Sequence, residues 1–133
     1  MIHVCSAHVF PELLAGKVVL IVEPQVPIAL QQRSVALELG ASEVLACASV
    51  GDGLATIESG VKPDLAIVDF GAGEVSTLIA RLDAAGIALV ITSVADPVDQ
   101  ADAPAFVRIT KPYLETELVK AIAAAMARRR PGA

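Results

Sequence analysis

The stretch Pro63-Asp64-Leu65-Ala66-Ile67-Val68-Asp69 decides the fold, because a short apolar run leads from a turn directly to a single carboxylate. Three other apolar runs follow the same plan and end on a polar residue: Val18–Val22 at Glu23, Leu89–Thr92 at Ser93, and Phe106–Thr110 at Lys111. Short apolar runs bounded by turn signals are typical of strands buried on both faces of a parallel sheet. The carboxyl ends of parallel strands meet at one edge, so we expect these four polar residues to converge.

Helical periodicity separates the apolar runs. The predicted strands are 18–23, 43–48, 65–69, 88–93 and 106–110, and the predicted helices are 27–39, 52–59, 74–85 and 114–128. Alternation of this kind implies right-handed crossovers and an α/β fold with a parallel sheet. The stretch 94–105 holds Pro97 and Pro104, and proline breaks a helix interior, so any fourth helix there is expected to be short, irregular or mobile.

Composition bounds the classes of function. The chain has 133 residues, enough for one core, and its hydrophobic content of 55% contains no run near the roughly 18 residues that span a bilayer. A net charge of −5 argues against direct nucleic-acid binding, and the basic cluster Arg128–Arg130 is interpreted as a helix end or a tether for an acidic partner. Two cysteines without metal-like spacing favour a reducing cytoplasm.

The residues at the strand ends resemble the receiver domain of a bacterial response regulator. The resemblance covers about residues 17–127 and rests on Asp69, Ser93 and Lys111-Pro112 together. It implies a flavodoxin-like, doubly wound five-stranded sheet in the order 2-1-3-4-5, with helices on both faces. The domain limits that follow are an N-terminal extension over 1–16, a receiver domain over 17–128 and a tail over 129–133.

The resemblance assigns a role to each of these residues. Asp69 matches the phosphoacceptor, and a carboxylate can form an acyl phosphate. Lys111 matches the lysine that pairs with the acceptor and then with the phosphoryl oxygens, and Pro112 matches a cis-proline turn. Ser93 matches the hydroxyl that follows the phosphoryl group. Thr92 is adjacent, and a slip of one residue would exchange the two faces, but counting from Ile87 favours Ser93.

The predicted metal site departs from the family pattern. Glu23 matches the first residue of the family's acidic pair, but Pro24 stands where a second carboxylate usually binds Mg²⁺ directly. The remaining metal ligands would be Glu23, Asp69, the backbone carbonyl of Gly71 and waters. We therefore expect Mg²⁺ binding to be weak or absent.

A second departure concerns signalling. Arg108 stands where the family usually carries a Tyr or Phe that switches rotamer with the hydroxyl. Three hypotheses follow: a single-domain response regulator phosphorylated on Asp69, a pseudo-receiver interaction module that no longer binds Mg²⁺ or is phosphorylated, and a flavodoxin-like nucleotide-binding domain. The third is disfavoured because no glycine-rich phosphate-binding pattern follows the first strand.

The first hypothesis implies a set of partners. They are a histidine kinase or phosphotransfer protein and a downstream protein, with no membrane contact and with homodimer formation left open. Such a protein is not an enzyme in the ordinary sense, although it can catalyse its own phosphorylation and dephosphorylation.

Overall fold

The computed structural model describes residues 12–94 and 106–129, in which five strands and four helices follow one another. In chain order they are β1 (Val18–Val22), α1 (Val26–Glu38), β2 (Glu43–Cys47), α2 (Val50–Glu58), β3 (Leu65–Asp69), α3 (Val75–Ala84), β4 (Ala88–Ser93), β5 (Phe106–Thr110) and α4 (Glu115–Arg128). Apart from Val94, the region predicted to hold a short or irregular helix lies outside the described residues.

The strands form one parallel sheet in the order β2-β1-β3-β4-β5, so the predicted topology is confirmed. In the register, Val22 pairs with both Cys47 and Val68, and Asp69 pairs with Thr92. The strand order changes direction between β1 and β3, because β1 has β2 on one side and β3 on the other. Residues that follow β1 and β3 therefore lie at the switch point, where open α/β sheets build their sites.

Both faces of the sheet are covered. Ile21 and Ile67 belong to a buried cluster with residues of α1 and α4, including Leu118. Leu20 and Val68 alternate to the other face and join a second cluster with residues of α2 and α3. Burial on both faces explains why the strands are continuous apolar runs rather than alternating ones.

The helix bounds differ from the predicted ones by one or two residues at most. The largest difference is at α2, which begins at Val50 rather than at the predicted residue 52. Ser49 explains it, because its hydroxyl accepts the Asp52 backbone N–H at 3.2 Å and caps the first turn. β1 ends at Val22, one residue earlier than predicted, and this leaves Glu23 just beyond the strand.

Two contacts tie the outer segments to the core. Leu14, within the predicted extension, is fully buried, and its backbone N–H donates to the Leu39 carbonyl at 2.8 Å. Arg129 lies 2.9 Å from Asp64, which precedes β3 and also accepts the Val18 N–H at 2.9 Å. The predicted limits at 16/17 and 128/129 stay predictions, but the described residues on both outer sides contact the folded unit.

Candidate functional site

A buried cluster of three charges lies at the carboxyl edge of the sheet. Lys111 Nζ lies 2.7 Å from Glu23 Oε1 and 2.8 Å from Asp69 Oδ1. The exposed fraction of these side chains is 8% for Lys111, 0% for Glu23 and 9% for Asp69. The structure thus brings together three of the four polar residues that the sequence placed after the strands.

The chain positions Lys111 through its backbone. The Lys111 N–H donates to the Ser93 carbonyl at 2.6 Å, which extends the pairing of β5 with β4, and the Lys111–Pro112 peptide bond is cis as predicted. Burial alone would lower the pKa of Lys111, but hydrogen bonds and charges from Asp69 and Glu23 raise it overall. The side chain is therefore a fixed cation between two carboxylates.

Thr92 supplies the hydroxyl that contacts Asp69. Its Oγ1 donates to Asp69 Oδ1 at 2.9 Å, and both side chains are buried. Thr92 pairs directly with Asp69 across the β3–β4 register, and partners in register share a face of the sheet. Side chains alternate along β4, so Ser93 lies on the opposite face of the sheet from Thr92, the same face as Leu89 and Ile91. The Ser93 backbone carbonyl accepts the Lys111 N–H. Sequence reasoning weighed Thr92 and preferred Ser93 because the register between strands was not known.

Gly71 approaches Asp69 from the turn after β3. Its N–H donates to Asp69 Oδ2 at 3.0 Å, so the glycine contacts this carboxylate through its amide group. A Cβ at this position would lie 3.1 Å from the same oxygen. Glycine therefore leaves one side of the Asp69 carboxylate unobstructed by a side chain.

The donor set does not fit a divalent cation as it is arranged. Oδ1 of Asp69 contacts Lys111 and Thr92, and Oδ2 accepts the Gly71 N–H. The Glu23 oxygens contact Lys111 and accept the Gln25 N–H at 3.1 Å, while Pro24 has no side-chain oxygen. Within 12–94 and 106–129, no group of three or more His, Cys, Asp or Glu residues is placed to hold a metal ion. Mg²⁺ needs several oxygen ligands in octahedral geometry, and here the Lys111 ammonium already contacts both carboxylates and offsets one of their two negative charges.

Arg108 is not an aromatic residue, but its side chain packs on the ring of Phe106. Its guanidinium carbon lies 5.2 Å from the centre of the Phe106 ring, within the range of a cation–π contact. Arg128, from the predicted basic cluster, lies close by and donates to the Phe106 carbonyl at 3.4 Å. Two of the cluster's three arginines thus contact the domain itself, since Arg129 pairs with Asp64.

Neither a protein-family model nor a curated protein sequence matches this chain. Solved structures do match. A response regulator receiver protein from Sinorhizobium medicae is 20% identical at a TM-score of 0.73, with 86% of this chain and 98% of that chain covered. A CheY-like receiver domain protein from Methanospirillum hungatei is 23% identical at a TM-score of 0.72, with 85% and 95% covered. The receiver domain of the PhyR response regulator from Erythrobacter litoralis is 18% identical at a TM-score of 0.70, with 90% and 97% covered.

Among the described residues, no helix combines the length and apolarity needed to cross a membrane. The sheet order, the helices on both faces and the solved neighbours agree on one architecture. This chain has the flavodoxin-like fold of response regulator receiver domains.

Proposed function

We propose that this chain is a receiver-type signalling module whose Asp69 accepts a phosphoryl group from a histidine kinase or a phosphotransfer protein. The observation that carries the proposal is the position of Lys111 Nζ, which contacts the acceptor carboxylate at 2.8 Å and a second acid at 2.7 Å. A buried ammonium beside a carboxylate at the switch point of the sheet is suited to stabilise added phosphoryl charge.

The proposed reaction is a single displacement at phosphorus. An Asp69 carboxylate oxygen attacks, and the bond from phosphorus to the donor nitrogen or oxygen breaks. The leaving group keeps the electron pair and takes a proton from solvent. The product is an acyl phosphate, whose oxygens Lys111 and the Thr92 hydroxyl can contact from their present positions beside Oδ1.

The same site argues for slow chemistry with little response to Mg²⁺. A bound metal would neutralise charge on the phosphoryl group, but Pro24 supplies no ligand and the carboxylate oxygens already contact donors. We assign that neutralisation to Lys111 alone. One cation in place of two makes a slower transfer the expected result.

The burial of Lys111 between Glu23 and Asp69 favours a second candidate function. If these ion pairs are permanent, they are a structural cluster, and the domain is a pseudo-receiver that binds a partner without phosphorylation. Buried ion pairs of this kind cost much to disrupt, which is consistent with a static role.

The deciding experiment is intact-mass measurement after incubation with acetyl phosphate, with and without Mg²⁺. We expect one phosphoryl adduct that is absent in D69N and forms at a similar slow rate in both conditions. P24D is the matched control, because it restores a carboxylate at the position of the missing ligand, and its adduct should form faster when Mg²⁺ is added. If neither the unaltered protein nor P24D forms an adduct, the proposal is wrong and the pseudo-receiver is favoured. If Mg²⁺ strongly accelerates adduct formation in the unaltered protein, the role given to Lys111 is wrong.

The proposed partners are therefore a phosphoryl donor and a downstream protein, in the cytoplasm. The domain is proposed as a signalling module rather than an enzyme acting on a separate substrate.

A further inference from the structure

Tyr113 links the lysine turn to the first helix. It lies two residues after Lys111, and its hydroxyl accepts a hydrogen bond from Gln32 Nε2 at 2.9 Å and donates one to Gln31 Oε1 at 3.0 Å. Both glutamines belong to α1, more than eighty residues earlier in the chain. These bonds connect the segment after β5 to α1 directly, at a position where Tyr113 also packs against the buried cluster between α1 and the sheet.

The link contains an unsatisfied buried group. Gln32 is fully buried, and among the described residues no donor reaches its Oε1. An isolated buried acceptor is costly and rare in native structures. The Gln32 carboxamide can turn over, which presents Oε1 to the Tyr113 hydroxyl and takes Nε2 away from it, so each of the two arrangements satisfies one amide atom through this hydroxyl.

The Tyr113 hydroxyl has a single proton, so it cannot donate to both glutamines at once. In the arrangement observed, the proton goes to the half-buried Gln31. In the alternative, it goes to the buried Gln32 and Gln31 is released. A side-chain pair with two discrete hydrogen-bond patterns is the kind of bistable element that a nearby charge can bias.

The charges of the candidate site change the pKa of the Tyr113 hydroxyl. Burial raises the pKa of the Tyr113 hydroxyl and the Gln32 hydrogen bond lowers it, while Glu23 and Asp69 raise it and Lys111 lowers it through their charges. Any event that adds negative charge at Asp69 or moves Lys111 therefore changes the potential at the hydroxyl that bridges to α1.

We propose that Tyr113 and Gln32 form a switch that transmits the charge state of the Lys111 cluster to α1. Tyr113 is thus a positioning residue. It would take the signalling role of the aromatic residue that Arg108 replaces. The input, phosphorylation of Asp69, rests on the function proposed above, but the link can be measured without it.

The test follows the side-chain amide resonances of Gln32 and Gln31 by ¹⁵N NMR. D69N and E23Q each remove the charge of one Lys111 partner without phosphorylation, and both should shift the Gln32 amide resonance. Y113F keeps the ring and deletes the bridging hydroxyl, so the shift should be lost in Y113F/D69N and Y113F/E23Q. Two charge variants are used so that one that fails to fold does not end the test.

A Gln32 shift of equal size with and without the Tyr113 hydroxyl would overturn the switch, as would unchanged Gln32 resonances in D69N and E23Q. The same samples treated with acetyl phosphate and weighed by mass separate the two proposals. An adduct on the protein and on Y113F, with the Gln32 shift only in the former, supports both proposals. Absence of an adduct in both contradicts phosphorylation, while the neutralised variants still decide whether the switch exists.

Discussion

At the scale of single residues, Lys111 determines how the site works. Two carboxylates buried side by side would repel each other strongly, and the ammonium placed within 2.8 Å of both makes the arrangement stable. Removing one partner from a buried ion pair typically costs about 3–5 kcal/mol, because the other charge stays buried without compensation. The cluster is therefore cooperative, and a change at any one of its three residues affects the other two.

We predict that T92V destabilises the protein more than S93A does. Valine has the shape of threonine but cannot donate to Asp69 Oδ1, and a hydrogen bond to a charged group contributes about 1.5–3 kcal/mol. The free energy of unfolding from urea titration should fall by about 2 kcal/mol in T92V. In S93A the bond to Asp69 remains, so a larger loss in S93A than in T92V would contradict this assignment of the two hydroxyls.

The sequence predicted most of this cluster. Asp69 ends β3, and Glu23 and Lys111 directly follow β1 and β5, so their convergence at one edge followed from the parallel sheet. The choice between Thr92 and Ser93 depends on the register of β4 against β3, which is a long-range pairing that local patterns do not encode. The bonds from Tyr113 to α1 were missed for the same reason, because they join residues more than eighty positions apart.

At the scale of elements, the helix starts follow the local chemistry of their caps. Ser49 caps α2, and the Glu117 carboxylate accepts the Leu114 N–H at 2.7 Å at the start of α4. α1 has no side-chain cap, but Pro27 in its first turn suits a position where an N–H would have no partner. Sequence patterns located each described helix to within two residues, and the α2 start was misplaced because Gly51 and Gly53 weaken the helical signal there.

We predict that S49A lowers the free energy of unfolding by about 1 kcal/mol, the usual value of an N-cap. The hydroxyl accepts the Asp52 N–H, and alanine leaves that donor without its side-chain partner. S49D is the control, since aspartate is an equally good cap and should unfold at nearly the same urea concentration as the unaltered protein. Equal destabilisation by both variants would show that the Ser49 cap is not the cause.

At the scale of the whole molecule, Asp64 joins three parts of the chain at the sheet edge opposite the site. It accepts the Val18 N–H, which is the start of β1, and pairs with Arg129, beyond the end of α4. Burial alone would raise the pKa of Asp64, but the Val18 N–H, Arg129 and Lys17 lower it overall. Because the folded state favours the ionised carboxylate, the contribution of Asp64 to stability is present at neutral pH.

We predict that D64N destabilises the protein by about 1 kcal/mol at pH 7, as expected for a partly exposed charged hydrogen bond. The difference should shrink as the pH falls below the ordinary aspartate pKa of about 3.9 and through the lowered pKa of the folded state, because the carboxylate is then protonated. Urea titrations of both proteins across this range provide the measurement. A difference that stays constant with pH would mean that asparagine acts through packing rather than through charge.

The sequence predicted the overall architecture better than it predicted individual contacts. Continuous apolar strands and alternating helices predicted a parallel sheet, and the order β2-β1-β3-β4-β5 came from the resemblance to receiver domains rather than from composition. The burial of Leu14 was not foreseen, because the segment Leu13-Leu14-Ala15 before Gly16 is too short to show a helical or strand period.

The enclosure of Lys111 also governs its covalent chemistry. An amine reacts with acyl donors only through a free lone pair. The raised pKa of Lys111 keeps its amine protonated, and its side chain is only 8% exposed, so reagents have little access to it. Lys62 and Lys120 are exposed, so an acyl donor reaches these two lysines more readily than it reaches Lys111. Acetyl phosphate can transfer acetyl as well as phosphoryl groups, so the cation beside Asp69 is shielded from acetylation by the reagent that we propose as a phosphoryl donor to Asp69.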